Sequence, residues 1–357
     1  MINEQKGAAR NLFFKKKFWL FAIIFVSVIT IAILLISIFN QGATPVAVIP
    51  TCGDGSFYDT CSLDKPYYCS GGTLIEDAPT CGCPDYSSKS VSSCVSIYES
   101  GIKPQNFPYV INGKNYSINF TTYNGLTIYL STLPKTIIYR DGQEPIRSDF
   151  KLLRIDEPNQ RFLIMGLIKQ IENLAPEDKV AQARIAIALV QSISWGASGD
   201  EINFGGQSVG NSRYPYEILY DNQGLCGEKS ELLALILREL GYGVALFYYP
   251  EENHEALGIK CPVGESLEGT GYCFVETSGP AIISDSEIEY EGGIKLSPSP
   301  EIVLISDGIA LPSGLYEYRD ADMIAGLRNK ESLGPISSFT AGQLEKKYGL
   351  SKVYNIG

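Results

Sequence analysis

Past Cys226 the apolar residues Leu233, Ile236, Leu237 and Leu240 recur at i, i+3, i+4 and i+7, the stripe of a half-buried helix. Gly241 ends that stripe, and the polar run Asp221 to Gly224 precedes it as turn material. Cys226 therefore opens the helix, on the same core-facing side as Ser230. Two more helices are expected upstream, over 160–175 and 177–195, with Pro176 at the first position of the second and Glu177 and Asp178 in its first turn. That second helix is apolar on several sides (Ile185, Ile187, Leu189, Val190, Ile193), which predicts burial against the Cys226 helix.

Alternation marks the strands. Tyr116, Ile118 and Phe120 alternate with polar residues, and Asn112-Gly113 and Asn124-Gly125 read as hairpin turns, so 107–139 is expected to be β. Val244 to Tyr249 reads as a strand, Ala256 to Ile259 as another, and Tyr272 to Thr277 as its antiparallel partner. His254, Phe274 and Glu276 share one parity and can share a face; Cys261 and Cys273 have the other. Placing Cys261 directly opposite Cys273 sets Glu276 against Gly258 instead of His254. The pattern thus predicts a bulge near Gly258 or a disulfide beyond the ladder, with Asp285 the rival partner of His254 in a strict register. A strand over 299–306 and a short helix near 340 complete the reading.

One run is longer than a globular core needs. Phe18 to Phe39 is uncharged and mostly apolar, roughly 33 Å as helix. Arg10 and Lys15 to Lys17 precede it, which predicts a single-pass span with a cytoplasmic N-terminus and the rest outside the cell; a cleaved signal peptide is the alternative.

The chain has 357 residues and a net charge of −11. Without the first 17 residues (five basic, one acidic) there remain 24 basic and 39 acidic residues, a net of −15, which argues against nucleic-acid or anionic-lipid binding. Six of nine cysteines (Cys52, Cys61, Cys69, Cys81, Cys83, Cys94) fall in a segment with too few aliphatic residues for a core, so disulfides are expected there, with the connectivity left open. A zinc site is the rival, disfavoured because no histidine is near. Asn115 and Asn119 lie in glycosylation sequons.

The remaining cysteines carry the chemistry. If Cys261 pairs with Cys273, Cys226 is left alone, and a leftover thiol in an oxidising compartment is intermolecular or reactive. At a helix N-terminus, unpaired N–H groups and the macrodipole favour the thiolate. The chain's one histidine, His254, follows the cysteine helix by one strand, where a base is needed. The N–H of Cys226 and a side chain from Gln207, Gln223 or Asn222 are candidate oxyanion donors. The rival for Cys226 is an inert buried thiol.

The run from Gly224 to Tyr242, then Asn253-His254, then Tyr272 to Pro280, resembles the core of the transglutaminase-like superfamily, and more narrowly its membrane-anchored archaeal members. The resemblance covers about residues 180–285. It implies an α+β, papain-like core in which a helix carrying Cys packs on an antiparallel sheet carrying His and Glu. Cys226 is then the nucleophile, His254 the base and Glu276 the group orienting the imidazole, where the family more often has aspartate. The implied activity is acyl transfer through Cys226, foremost a peptidase or amidase acting on a protein or peptide at the cell surface, without metal or cofactor. Protein cross-linking and a non-catalytic binding module are the alternatives. The resulting layout is a basic tail (1–17), a transmembrane helix (18–39), a disulfide segment (50–96), a small β-rich region (105–155), a catalytic domain (156–310) and a C-terminal extension (311–357).

Overall fold

The structure, a computed structural model, describes residues 50–134, 137, 139–143, 145–198, 201–204, 207–210, 212–330 and 334–356, with backbone alone at 201–204 and 207–210. Its first part is two small hairpins, β1 (Tyr67–Ser70) with β2 (Thr73–Glu76) and β3 (Ser87–Ser90) with β4 (Ser93–Ser96), flanking the short helix α1 (Ala78–Cys81). Three disulfides staple them: Cys52–Cys69, Cys61–Cys81 and Cys83–Cys94. Tyr67, Cys69 and Leu74 are buried in the same apolar cluster as the helices that follow.

A long hairpin comes next, β5 (Ile102–Ile111) and β6 (Lys114–Tyr123), turned at Asn112-Gly113, both with positive φ. The second expected turn is corrected. Asn124-Gly125 opens helix α2 (Asn124–Thr132), and Gly125 is needed for close approach: a Cβ there would lie 2.3 Å from the carbonyl oxygen of Tyr98.

Helices α3 (Arg147–Ile155), α4 (Pro158–Leu174) and α5 (Lys179–Ser192) follow. The start of α5 differs from expectation. Glu177 takes a left-handed φ of 61°, and the Asp178 side chain caps the helix by accepting from Ala181 N at 2.9 Å, so Pro176 lies outside it. A two-residue strand β7 (Ser194–Trp195) leads to β8 (Glu201–Phe204) and β9 (Gln207–Gly210), then α6 (Pro215–Asp221) and the two-residue strand β10 (Gln223–Gly224), which pairs with β7 in parallel.

The core element is α7 (Cys226–Glu239), whose Leu232, Leu233, Leu235, Ile236 and Leu237 are fully buried. It packs on a four-stranded antiparallel sheet of order β13-β12-β11-β14, comprising β11 (Val244–Tyr249), β12 (His254–Lys260), β13 (Tyr272–Val275) and β14 (Glu301–Ser306). Helices α8 (Tyr316–Arg328) and α9 (Pro335–Tyr348) close the described chain, whose residues form one compact unit.

The sheet register resolves the question of Gly258. Cys273 stands opposite Ile259 and Phe274 opposite Gly258, with no bulge between β12 and β13. The Cys261–Cys273 disulfide therefore runs diagonally, from Cys261 just past the last ladder pair to Cys273 within the ladder. Continuing the same register sets Glu276 against Ala256, one diagonal step from His254 on the same face. Gly258 serves packing instead: a Cβ there would lie 2.7 Å from the Phe247 ring.

The expected fold class needs one correction. Among the described residues no helix is long and apolar enough to cross a membrane, so the structure supports no transmembrane helix ahead of the core. The apolar run 18–39 on which that expectation rested lies outside the described residues.

Candidate active site

Leu225 caps α7 in extended conformation, and its N–H is taken by Glu228 Oε2 at 2.9 Å, the reach-back half of a capping box. Glu228 is in turn gripped by Arg213, through its backbone N (2.7 Å to Oε1) and guanidinium Nη2 (2.8 Å to Oε2). The same guanidinium donates to Gly196 O at 2.6 Å and to Asp221 at 3.1 Å. One buried arginine thus ties the end of β7, the end of α6 and the first turn of α7 together. Cys226 sits at that turn, 4% exposed, the one free cysteine among the described residues.

His254 opens β12 after a turn in which Asn253 takes positive φ. Its Nε2 lies 3.0 Å from Glu276 Oε2, which leaves Nδ1 as the nitrogen available to Cys226, and the two residues line the same cleft. Nδ1 is buried and has no hydrogen-bond partner among the described residues. Burial works against an imidazolium here, but the Glu276 carboxylate and the Cys226 sulfur outweigh it and push the His254 pKa up to about 10. Glu276 is fully buried as well. Burial opposes its charge, yet His254, Tyr290 and backbone N–H groups hold it ionised, down to about 2. Thr277 N (2.9 Å) and Ser278 N (2.6 Å) donate to Oε1, and the Tyr290 hydroxyl donates to Oε2.

Lacing bonds hold helix and sheet in register. Thr277 Oγ1 donates to Cys226 O at 3.0 Å and lies 2.8 Å from Ser230 Oγ, which reaches Glu255 O at 3.3 Å. Lys229, fully buried, donates from Nζ to Ile193 O (2.6 Å), Gln191 O (3.2 Å) and Ser278 O (3.4 Å). Burial drives its pKa down to about 7 against the pull of Glu276 and Cys226.

A cleft of about 230 Å³ opens over the sulfur, lined by Cys226, His254, Tyr248, Glu255, Lys151 and Arg147, among others. Lys151 bridges Glu231 and Glu255 at 2.8 Å each, and Arg147 lies over the Tyr248 ring at 3.6 Å. A larger hollow of about 330 Å³, between the disulfide segment and α4, holds neither free thiol nor imidazole.

The three residues singled out from the sequence thus meet in one place. The other candidates do not join them through any described contact. Gln223 donates to Ala197 O at 3.4 Å, Asn222 ends α6 in a left-handed turn, and Gln207 lies on β9, where only backbone is described. Asp285 pairs with Arg328 at 2.6 Å, away from the imidazole. Cys52, Cys61, Cys69, Cys81, Cys83, Cys94, Cys261 and Cys273 are all in disulfides. Among the described residues no cluster of three or more His, Cys, Asp or Glu could hold a metal ion. Sequence reasoning missed Tyr290, one of 22 tyrosines with no marking pattern, and Arg213. Glu228 was findable, since it stands three residues after the cap.

No family model matches the chain, and no curated protein does. Among solved structures, Legionella pneumophila LapG matches with a TM-score of 0.23 and 15% identity, over 37% of this chain and 73% of that one. The calcium-bound form of Legionella pneumophila LapG matches with a TM-score of 0.26 and 14% identity, over 50% of this chain and 98% of that one. Likeness at this level fixes neither the fold nor the chemistry, and it does not bear on the archaeal, membrane-anchored subgroup.

Proposed function

We propose that this protein is a thiol enzyme of transglutaminase-like type that cleaves an amide bond in a protein or peptide through an acyl-enzyme on Cys226. The observation that carries the reading is the meeting of the one free thiol and the one imidazole in a single cleft, with that imidazole bonded to a buried carboxylate that has four donors. Four disulfides suit a compartment outside the reducing cytosol.

In the reaction, His254 Nδ1 holds the proton given up by Cys226, and the thiolate adds to the amide carbonyl. The N–H groups of the first turn of α7 lack intrahelical acceptors and face the developing oxyanion. The imidazolium then passes its proton to the leaving amine as the C–N bond breaks, leaving a thioester. Water, deprotonated by the now neutral imidazole, adds to the thioester and releases the acid and the free thiol. Glu276 keeps the ring turned and its Nε2 protonated throughout.

Labelling Cys226 with 2-chloroacetamide across pH tests this. An imidazolium-paired thiolate reacts quickly and gives a plateau from below neutrality. A rate that simply climbs through pH 8–9, like that of a free thiol titrating near 8.5, overturns the reading and favours a binding module. A Cys226→Ala chain is the labelling control.

A further inference from the structure

The four donors on Glu276 divide by kind between its two oxygens. The two backbone N–H groups take Oε1, while His254 and Tyr290 share Oε2. The Tyr290 ring stands edge-on to the imidazole with centroids 4.8 Å apart. Two donors on one oxygen compete, because each draws off charge the other would otherwise feel. Tyr290 is itself held from outside its loop. Tyr354 stands edge-on to it at 6.3 Å, and the Tyr354 carbonyl takes Glu291 N at 2.9 Å. The Tyr354 hydroxyl donates to Pro280 O at 2.7 Å, and Ser351 N reaches the same carbonyl at 3.0 Å. Residues 351–354 therefore clamp both loops that flank Glu276. The fit is close: a Cβ on Gly279 would meet Ser351 Oγ at 2.2 Å. Helix α9, which leads to this clamp, buries only Leu344.

We propose that Tyr290, kept in place by Tyr354, is a positioning residue that divides the charge on Glu276 Oε2 and so sets how firmly His254 holds its proton. It rests on the thiol-enzyme reading, in which that proton must reach the leaving amine. Without the hydroxyl, the full charge of Oε2 falls on the imidazolium, and the acid step slows. The other titratable groups facing this pair are Cys226 and Lys229 from α7 and Tyr249 from β11. Burial, with Glu276 near Tyr249 and Tyr290 and Asp285 near Tyr354, keeps these three hydroxyls protonated well above their ordinary range, so Tyr290 remains a donor wherever His254 titrates.

Because the chain has one histidine, full-length protein labelled with ¹⁵N-histidine gives a single imidazole in NMR. Tyr290→Phe raises the His254 midpoint by about half a pH unit or more, roughly threefold in proton affinity. The plateau of 2-chloroacetamide labelling extends upward by the same amount. Tyr354→Ala moves both in that direction, and Tyr354→Phe, which keeps the ring, stays near the parent. An unchanged or lowered midpoint in Tyr290→Phe overturns the proposal. Tyr290→Phe removes one oxygen only, so it decides the matter even if Tyr354→Ala does not fold. A raised midpoint in a chain whose Cys226 labels like a free thiol sinks the enzyme reading and leaves the division of charge standing; a reactive Cys226 with no shift sinks the proposal alone.

Discussion

His254 and Lys229 should pull the pH dependence of stability in opposite directions, and replacing Lys229 by Met exposes it. The folded His254 pKa is raised from 6.5 to about 10. Its stabilising contribution is complete below pH 6.5 and is lost as pH rises toward 10. The folded Lys229 pKa is depressed from 10.5 to about 7. Its unfavourable burial is fully felt below pH 7 and is relieved as pH rises toward 10.5. Between about pH 7 and 10 the native state binds one more proton through His254 and one fewer through Lys229, so the two slopes cancel. Each slope is about 1.4 kcal/mol per pH unit. Urea unfolding of Lys229→Met, read as a difference from the parent so that shared ionisations drop out, should lose about 2.7 kcal/mol from pH 7.5 to 9.5. Glu276→Gln, which removes the main group sustaining the imidazolium, should tilt the other way, gaining stability with pH. At any one pH Lys229→Met also leaves three carbonyls without their donor, a constant offset of a few kcal/mol (about 1–3 for each orphaned group) that does not affect the slope. A Lys229→Met curve parallel to the parent's refutes the reasoning, because it means that Lys229 is not titrating against burial.

Arg213→Met leaves Glu228 buried without its cation, and chemical unfolding should show a loss of about 3 kcal/mol, with slower alkylation of Cys226 as the helix start loosens. Replacing Cys261 and Cys273 together by Ala opens a bridge between residues 12 apart; denaturant midpoints should register a loss of about 2–3 kcal/mol, with the alkylation plateau of Cys226 intact.

The legible parts of this chain were those in which one period dominates. The α7 stripe, the run Val244 to Tyr249 and the parity shared by His254 and Glu276 follow directly from spacing, and they bring the site together. Local signals misled where tertiary contact decided. Asn124-Gly125 has hairpin composition, yet its glycine exists for the Tyr98 carbonyl, and Pro176 has helix-start composition, yet Asp178 does the capping. The strand register depended on a disulfide drawn straight across when it runs diagonally, an offset of two residues that no alternation pattern encodes. Tyr290 and Lys229 were out of reach for another reason. Their roles depend on which carboxylate and which carbonyls they meet, and those partners lie 14 to 49 residues away in the chain.

That diagonal bridge bears on how the molecule is assembled. The strands carrying the imidazole and its carboxylate are joined by Cys261–Cys273, so once oxidised even a denatured chain keeps them as neighbours, with little loop entropy left to surrender on refolding. Cys226, His254 and Glu276 also come from one unbroken run, residues 226 to 276, so bringing them together closes only short loops.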